Sequence, residues 1–232
     1  MDRATFLASG TVASTTLAFA EPVPGGSQLV ERASAFDAPA FDRLVGRRAQ
    51  LRQVWDNAAF KPAVLNNIKN ALNGLIFGFG YAPESLTLAL VNHSGSAAYT
   101  YDDSIWAKYR IGDFLQRQGA SVEGLKKNVF YPSASHAQPN SDPNDEQGFY
   151  QDISIETLQR RGVILLTCHT AVEEQARALV RQGHVPTGIS PFEVADDILM
   201  HLIPGAIVVP SGVATIAVLQ QRYNYRYITV QS

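Results

Sequence analysis

Three short apolar runs constrain this chain more than any other feature. Residues 85–92 (SLTLALVN), 163–168 (VILLTC) and 206–209 (AIVV) are almost wholly apolar and bounded by turn-forming residues. Runs of this length fit strands buried on both faces of a parallel sheet. Helical patterns separate them. Val64, Leu65, Ile68, Ala71, Leu72, Leu75, Ile76 and Phe79 keep an i, i+3, i+4 stripe; Pro62 suits its first turn, and Gly78 and Gly80 end it. Further helices are predicted over 104–115 with a break at Gly112, over 154–161, 170–182 and 191–202, and from Ser211 through Gln221. Residues 225–230 read as a last strand. Helices alternating with buried strands mean an α/β fold, layered around a mostly parallel sheet.

The 232 residues suffice for one sizeable domain, and 46% hydrophobic content can fill its core. A net charge of −2 gives no electrostatic case for nucleic acid or an anionic membrane. Residues 1–20 read as an export signal peptide: Arg3, a mostly uncharged stretch over 7–20, and Ala18-Phe19-Ala20 as a cleavage site before Glu21. Residues 2–7 resemble a twin-arginine signal in which Ala4 replaces the second arginine. The stretch is too short and polar to span a membrane. The mature chain is therefore expected to be periplasmic or secreted, without a membrane span. Residues 21–36, rich in Pro, Gly and Ser, read as a linker, and 37–232 as a single domain. That domain opens with a helical extension, because Leu44, Val45, Leu51 and Val54 give residues 42–55 an amphipathic helical pattern. Residues 119–150 carry Pro132, Pro139, Pro143 and a polar run, the mark of a lid, a partner-binding arm or a disordered insert. Phe130, Tyr131, Phe149 and Tyr150 predict that part of it packs down.

Ligands of open parallel sheets bind beyond the carboxyl ends of the strands. Three predicted strand ends carry polar residues here: Asn92, His93 and Ser94; Cys168, His169 and Thr170; Pro210, Ser211 and Gly212. If the strands are parallel neighbours, these ends share one edge. Cys168 is the only cysteine. It stands between a strand and a helix whose Thr170 and Glu173 have capping-box spacing, near the positive end of a helix dipole that favours thiolate. It is either a nucleophile or ligand, or a small buried hydrophobe. An exported protein with one cysteine has no internal disulfide. His169 bonds the sulfur if the chain turns there. The amides around Thr170 and Gly212 could cradle an anion, and Ser211 is a good cap. Asp103, Trp106 and Lys108 follow His93 and add an acid, an aromatic and a base to the ligand-binding candidates; the plain alternative is a helix start capped by Asp103. His136, His184 and His201 lack ligand spacing, so no metal site is predicted. No cofactor motif is present.

At these residues the chain resembles the DsrE/DsrF-like sulfur-relay family. The carrying segments are GVILLTCHT at 162–170, ILMHLIPGAIVVPSGVATIAVLQ at 198–220, and 225–228. Cys168, Thr170, Pro210, Gly212, Val213, Leu219 and Gln220 occupy the places of that family's strand-end cysteine and threonine, its Val-Pro-x-Gly-Val turn and the Leu-Gln near the end of the helix that follows. The resemblance spans about residues 85–230. It implies an α/β sandwich of flavodoxin-like topology, assembled as a homo-oligomer, trimer or hexamer. It also implies a persulfide carried on Cys168, with a sulfur-donor or acceptor protein as partner. The chain departs from the family in its export signal, its N-terminal extension, the 119–150 insert and His169.

Three classes of function follow. The first is an exported sulfur-binding or sulfur-carrying protein acting through Cys168, with His93 and His169 as polar neighbours. The second is a non-catalytic module binding a small ligand or metal, and the third an oligomeric interaction protein; in both the cysteine is structural. These residues alone do not make the protein an enzyme.

Overall fold

One five-stranded, all-parallel sheet organises the computed structural model, which describes residues 36–133 and 142–229. Its strands are β1 (Leu51–Asn57), β2 (Leu86–Asn92), β3 (Ile164–Cys168), β4 (Ala206–Val209) and β5 (Arg226–Thr229), in the order β4-β3-β2-β1-β5. Leu88, Leu165 and Val208 lie on adjacent parallel strands, as the apolar runs predicted. Every residue of β2 and β3 is buried, which is why these segments read as unbroken apolar runs.

The helices are α1 (Ala38–Val45), α2 (Ala63–Asn73), α3 (Asp103–Lys108), α4 (Ile111–Gln116), α5 (Ile155–Arg160), α6 (His169–Arg181), α7 (Pro191–Met200) and α8 (Gly212–Tyr223). They form two layers. Leu65, Ile68, Ile105, Leu158, Val172 and Ile198, from α2, α3, α5, α6 and α7, share one core with Trp55, Leu90 and Leu165 of the sheet. Phe41 and Val45 of α1 and Ile216 and Leu219 of α8 share the other with Val54, Val91 and Leu166. The chain moves outward from β1 to β4 with its crossovers on the first face. It then returns from β4 to β5 through α8 on the second, across β3, β2 and β1. Reversing both direction and face keeps the crossovers of one hand. The doubly wound plan is flavodoxin-like in outline, except that the edge strand beyond β1 comes last in the chain instead of second.

The sequence pattern failed at residues 42–55. They form not one helix but α1, a stop at Gly46, and strand β1. Leu51 and Val54 are three apart, so they mimic a helical stripe, yet β1 pairs along its whole length with β2 and also with β5. Two flanking ladders outweigh a local preference of this size. The break between α3 and α4 falls at Arg110, whose φ is +50°, rather than at Gly112. Gly112 lies inside α4 for a different reason: a Cβ there would meet the carbonyl oxygens of Val122 at 2.5 Å and Leu125 at 2.7 Å. The insert therefore packs on α4. Phe130 of the insert stacks edge-on against Phe60 and Tyr99, and Asn128 Nδ2 donates to the carbonyls of Tyr99 and Tyr101. Phe36, the end of the expected linker, packs against Phe41. The export signal, the rest of that linker and residues 134–141 with His136 lie outside the described residues.

Candidate functional site

The carboxyl ends of β1, β2, β3 and β4 share one edge of the sheet and present Asp56-Asn57, Asn92-His93, Cys168 and Gly212 in that spatial order. β3 and β4 are neighbours whose exits diverge, into α6 on one face and α8 on the other. A gap of this kind is where open α/β sheets bind ligands. Cys168 sits in it. Ala171 N, in the first turn of α6, lies 3.3 Å from Cys168 Sγ, and Gly212 N, at the start of α8, lies 3.1 Å away. Two helix N-termini from opposite faces thus donate to one sulfur.

This corrects the expected capping. Cys168 itself is the N-cap of α6, and Thr170 and Glu173 form no capping box. Thr170 Oγ1 donates to the Pro210 carbonyl at 3.0 Å, pinning the β4 exit to α6. Ser211 makes no side-chain cap; its carbonyl accepts from Thr215 N. Of the amides expected to cradle an anion, Ala171 N and Gly212 N are engaged by the sulfur. Cys168 as a residue is 4% exposed.

Gly212 is required by close approach. A Cβ on it would lie 2.9 Å from His93 Cβ and 3.3 Å from Cys168 Cβ, so His93 and Cys168 leave their strands side by side. The His93 ring is oriented by a residue the sequence reading missed. Asp56 Oδ1 lies 2.6 Å from His93 Nε2, and Tyr227 Oη donates to Asp56 Oδ2 at 2.6 Å. Ser94 Oγ lies 3.4 Å from His93 Nδ1. Both ring nitrogens therefore face oxygen. Beneath them Asn57 Nδ2 donates to Asn92 Oδ1 at 2.9 Å, locking two buried amides of adjacent strands together. A cavity of about 130 Å³ lined by Asp56, Asn57, Lys61 and Thr229 extends the edge beyond His93.

Ser94 holds a left-handed conformation (φ +49°), and its carbonyl accepts from Gln175 Nε2 of α6. Gln175 Oε1 accepts in turn from Tyr101 Oη at 2.9 Å. Burial pushes the Tyr101 phenol far above its ordinary range, so it stays a donor.

The His169 ring meets Glu173 instead of bonding the sulfur. Its Nδ1 lies 3.5 Å from Glu173 Oε1 one turn along α6, and both atoms are buried without a hydrogen bond among the described residues. Burial lowers the His169 imidazole below its ordinary value. Burial likewise raises the Glu173 carboxyl, against the pull of Arg177.

Asp103, Trp106 and Lys108 are not brought to the strand ends. Asp102, not Asp103, caps α3, and Asp103 Oδ1 accepts from Asn128 N of the insert. Trp106 is wholly buried with its Nε1 on the Ala98 carbonyl, leaving it nothing to offer a ligand. Lys108 Nζ pairs with Asp197 of α7 at 2.9 Å. Among the described residues no group of three or more His, Cys, Asp or Glu is placed to hold a metal, and no helix is long and apolar enough to cross a membrane.

Asp56, Gln175 and Tyr101 were missed because each reaches the site across the fold. The signal for Asp56 was present: a polar Asp56-Asn57 pair directly after Val54-Trp55 repeats the pattern of Asn92-His93 after Leu90-Val91. No family model matches the chain, and no curated protein or solved structure matches it significantly.

Proposed function

We propose that this is an exported, DsrE-like protein that accepts and carries sulfane sulfur on Cys168. The observation that carries the reading is the pair of backbone amides, from helices on opposite faces of the sheet, converging on the sulfur of the one cysteine. Such donors favour the anionic sulfur that performs nucleophilic attack. The Cys168 thiolate attacks the terminal sulfur of a donor persulfide R–S–SH. A new S–S bond forms on Cys168, the donor's S–S bond breaks, and the leaving thiolate takes the proton that the Cys168 thiol gave up. There is no net oxidation. We assign the relay of that proton to His93, which leaves its strand beside Cys168 and is held by Asp56. The acceptor side is a second thiol, by the same exchange in reverse.

Assembly as a homo-oligomer belongs to the same reading. The outer face of α8 leaves Val213 and Val218 exposed, an apolar surface suited to a second copy. Export is proposed from residues 1–20, and it predicts a mature N-terminus near Glu21 by N-terminal sequencing.

One observation favours a second reading. Cys168 is buried, and a thiol that caps α6 and ties α8 to β3 has a structural role without chemistry. Incubation with a polysulfide followed by intact-protein mass spectrometry separates the two. The sulfur-carrier reading expects the mass of one added sulfur atom on the native protein, absent in Cys168→Ser and formed more slowly in Asp56→Asn. Uptake by the urea-unfolded chain but not by the native one would leave Cys168 as a core residue.

A further inference from the structure

The opposite edge of the sheet carries a second cavity, remote from Cys168. It lies at the amino ends of β2 and β3 and has a volume of about 440 Å³. Arg47, Arg160 and Arg161 line it, with Phe149, Tyr150 and Leu86 as its apolar wall.

Two of the guanidiniums are clamped by neutral oxygens. Arg47 Nε donates to Thr87 Oγ1 at 3.0 Å and its Nη2 to the Gly162 carbonyl at 2.7 Å. Arg161 Nη2 donates to Asn73 Oδ1 at 2.7 Å and its Nη1 to the Tyr150 carbonyl at 3.4 Å. Among the described residues neither makes an ion pair. Their charges are thus positioned but not neutralised. Lys69 adds a further positive charge close to Arg161, with its Nζ on the neutral Gln151 Oε1. Burial lowers Arg161 to about 10, the cost of holding a cation there without a counter-ion. Glu84 is the single carboxylate among the lining residues, and it is exposed.

The aromatic side of the cavity is equally organised. The Arg160 guanidinium lies 4.9 Å from the Phe149 ring and that of Arg161 5.5 Å from the Tyr150 ring. Phe77 meets Tyr150 edge-on and is 45% exposed. It belongs to a π-helical turn, Gly74–Gly78, that extends α2. Such turns occur often at functional sites.

We propose that this cavity binds a small amphipathic anion: an oxyanion for the guanidinium groups, on an apolar or aromatic body for the Phe149–Tyr150 wall. Guanidinium forks match carboxylate and phosphate oxygens two at a time. The volume lies within the range of small-ligand sites. The inference is independent of any chemistry at Cys168, because the two sites occupy opposite ends of the strands.

Calorimetric titration tests it with three probes at one ionic strength: 4-phenylbutyrate, its neutral alcohol 4-phenylbutan-1-ol, and inorganic phosphate. Saturable one-site binding of 4-phenylbutyrate is expected, with each of the other two at least about tenfold weaker. Arg160→Ala and Arg161→Lys should each weaken 4-phenylbutyrate by roughly tenfold, the loss of one charge-assisted contact, with urea midpoints confirming a folded chain. Glu84→Gln should tighten it. Absence of saturable 4-phenylbutyrate binding overturns the proposal. So does equal binding of the alcohol or of phosphate, or binding left unchanged by both arginine substitutions.

Discussion

Replacing Gly212 with alanine puts the geometry of the strand-end site under direct test. The residue has an ordinary negative φ and opens α8, so alanine suits the backbone and removes glycine's helix penalty, at most about 1 kcal/mol in a helix interior and less at the first position. Against that gain stands the contact. The new methyl group would lie 2.9 Å from His93 Cβ and 3.3 Å from both His93 Cγ and Cys168 Cβ. His93 and Cys168 sit at the ends of neighbouring strands, and His93 is held by Asp56, so neither side can yield freely. Forcing an extra carbon into such a space costs about 1–3 kcal/mol. The net expectation is a loss of roughly 1–2 kcal/mol, or about 3–6 °C in melting temperature for a domain of this size. Urea denaturation with an unchanged m-value measures the first and calorimetry the second. Gly78→Ala is the control, because a Cβ there meets nothing within 4 Å; it should be neutral or slightly stabilising. Displacing His93 and separating Gly212 N from the sulfur should also change the alkylation rate of Cys168. A Gly212→Ala protein as stable as the parent, with the same alkylation rate, would show that β2, β3 and α8 do not converge on this point.

Gly112→Ala drives a methyl group against the carbonyls of Val122 and Leu125, backbone atoms that give way only if the insert lifts; limited proteolysis should cut faster between residues 119 and 133. Glu173→Gln removes a buried carboxylate whose burial raises its titration, so the parent loses stability as pH rises through that value. The variant should gain at pH 8 and not at pH 4, and a lower urea midpoint at pH 8 would contradict this. Burial depresses both His169 and His184, so the unfolded chain takes up protons that the folded chain refuses. That contribution is complete above the ordinary value of 6.5 and is lost as pH falls through the folded values; His169→Gln with His184→Gln should flatten the fall in urea midpoint on the acid side.

The sequence by itself determined the layered α/β architecture and four of its five strands. β2 and β3 are buried on both faces, so burial alone dictates their residues and leaves an unmistakable apolar run; β4, a half-buried edge strand, keeps an apolar run as well. It also placed Cys168, His93 and Gly212 at strand ends, because an abrupt change from apolar to polar marks where a buried strand leaves the core. Tertiary structure decided the rest. β1 mixes Arg52, Gln53 and Asp56 with Val54 and Trp55, and only pairing with β2 and β5 makes it a strand. The helix cap passed from Thr170 to Cys168, because the sulfur sits where two helices on opposite faces begin, a fact of strand order that no local spacing encodes. His93 found Asp56 thirty-seven residues away, and Trp106 went to the core instead of the site. Local chemistry chooses the elements, whereas the meeting of side chains from four strand ends depends on the order of the sheet, which exists only once the chain has folded.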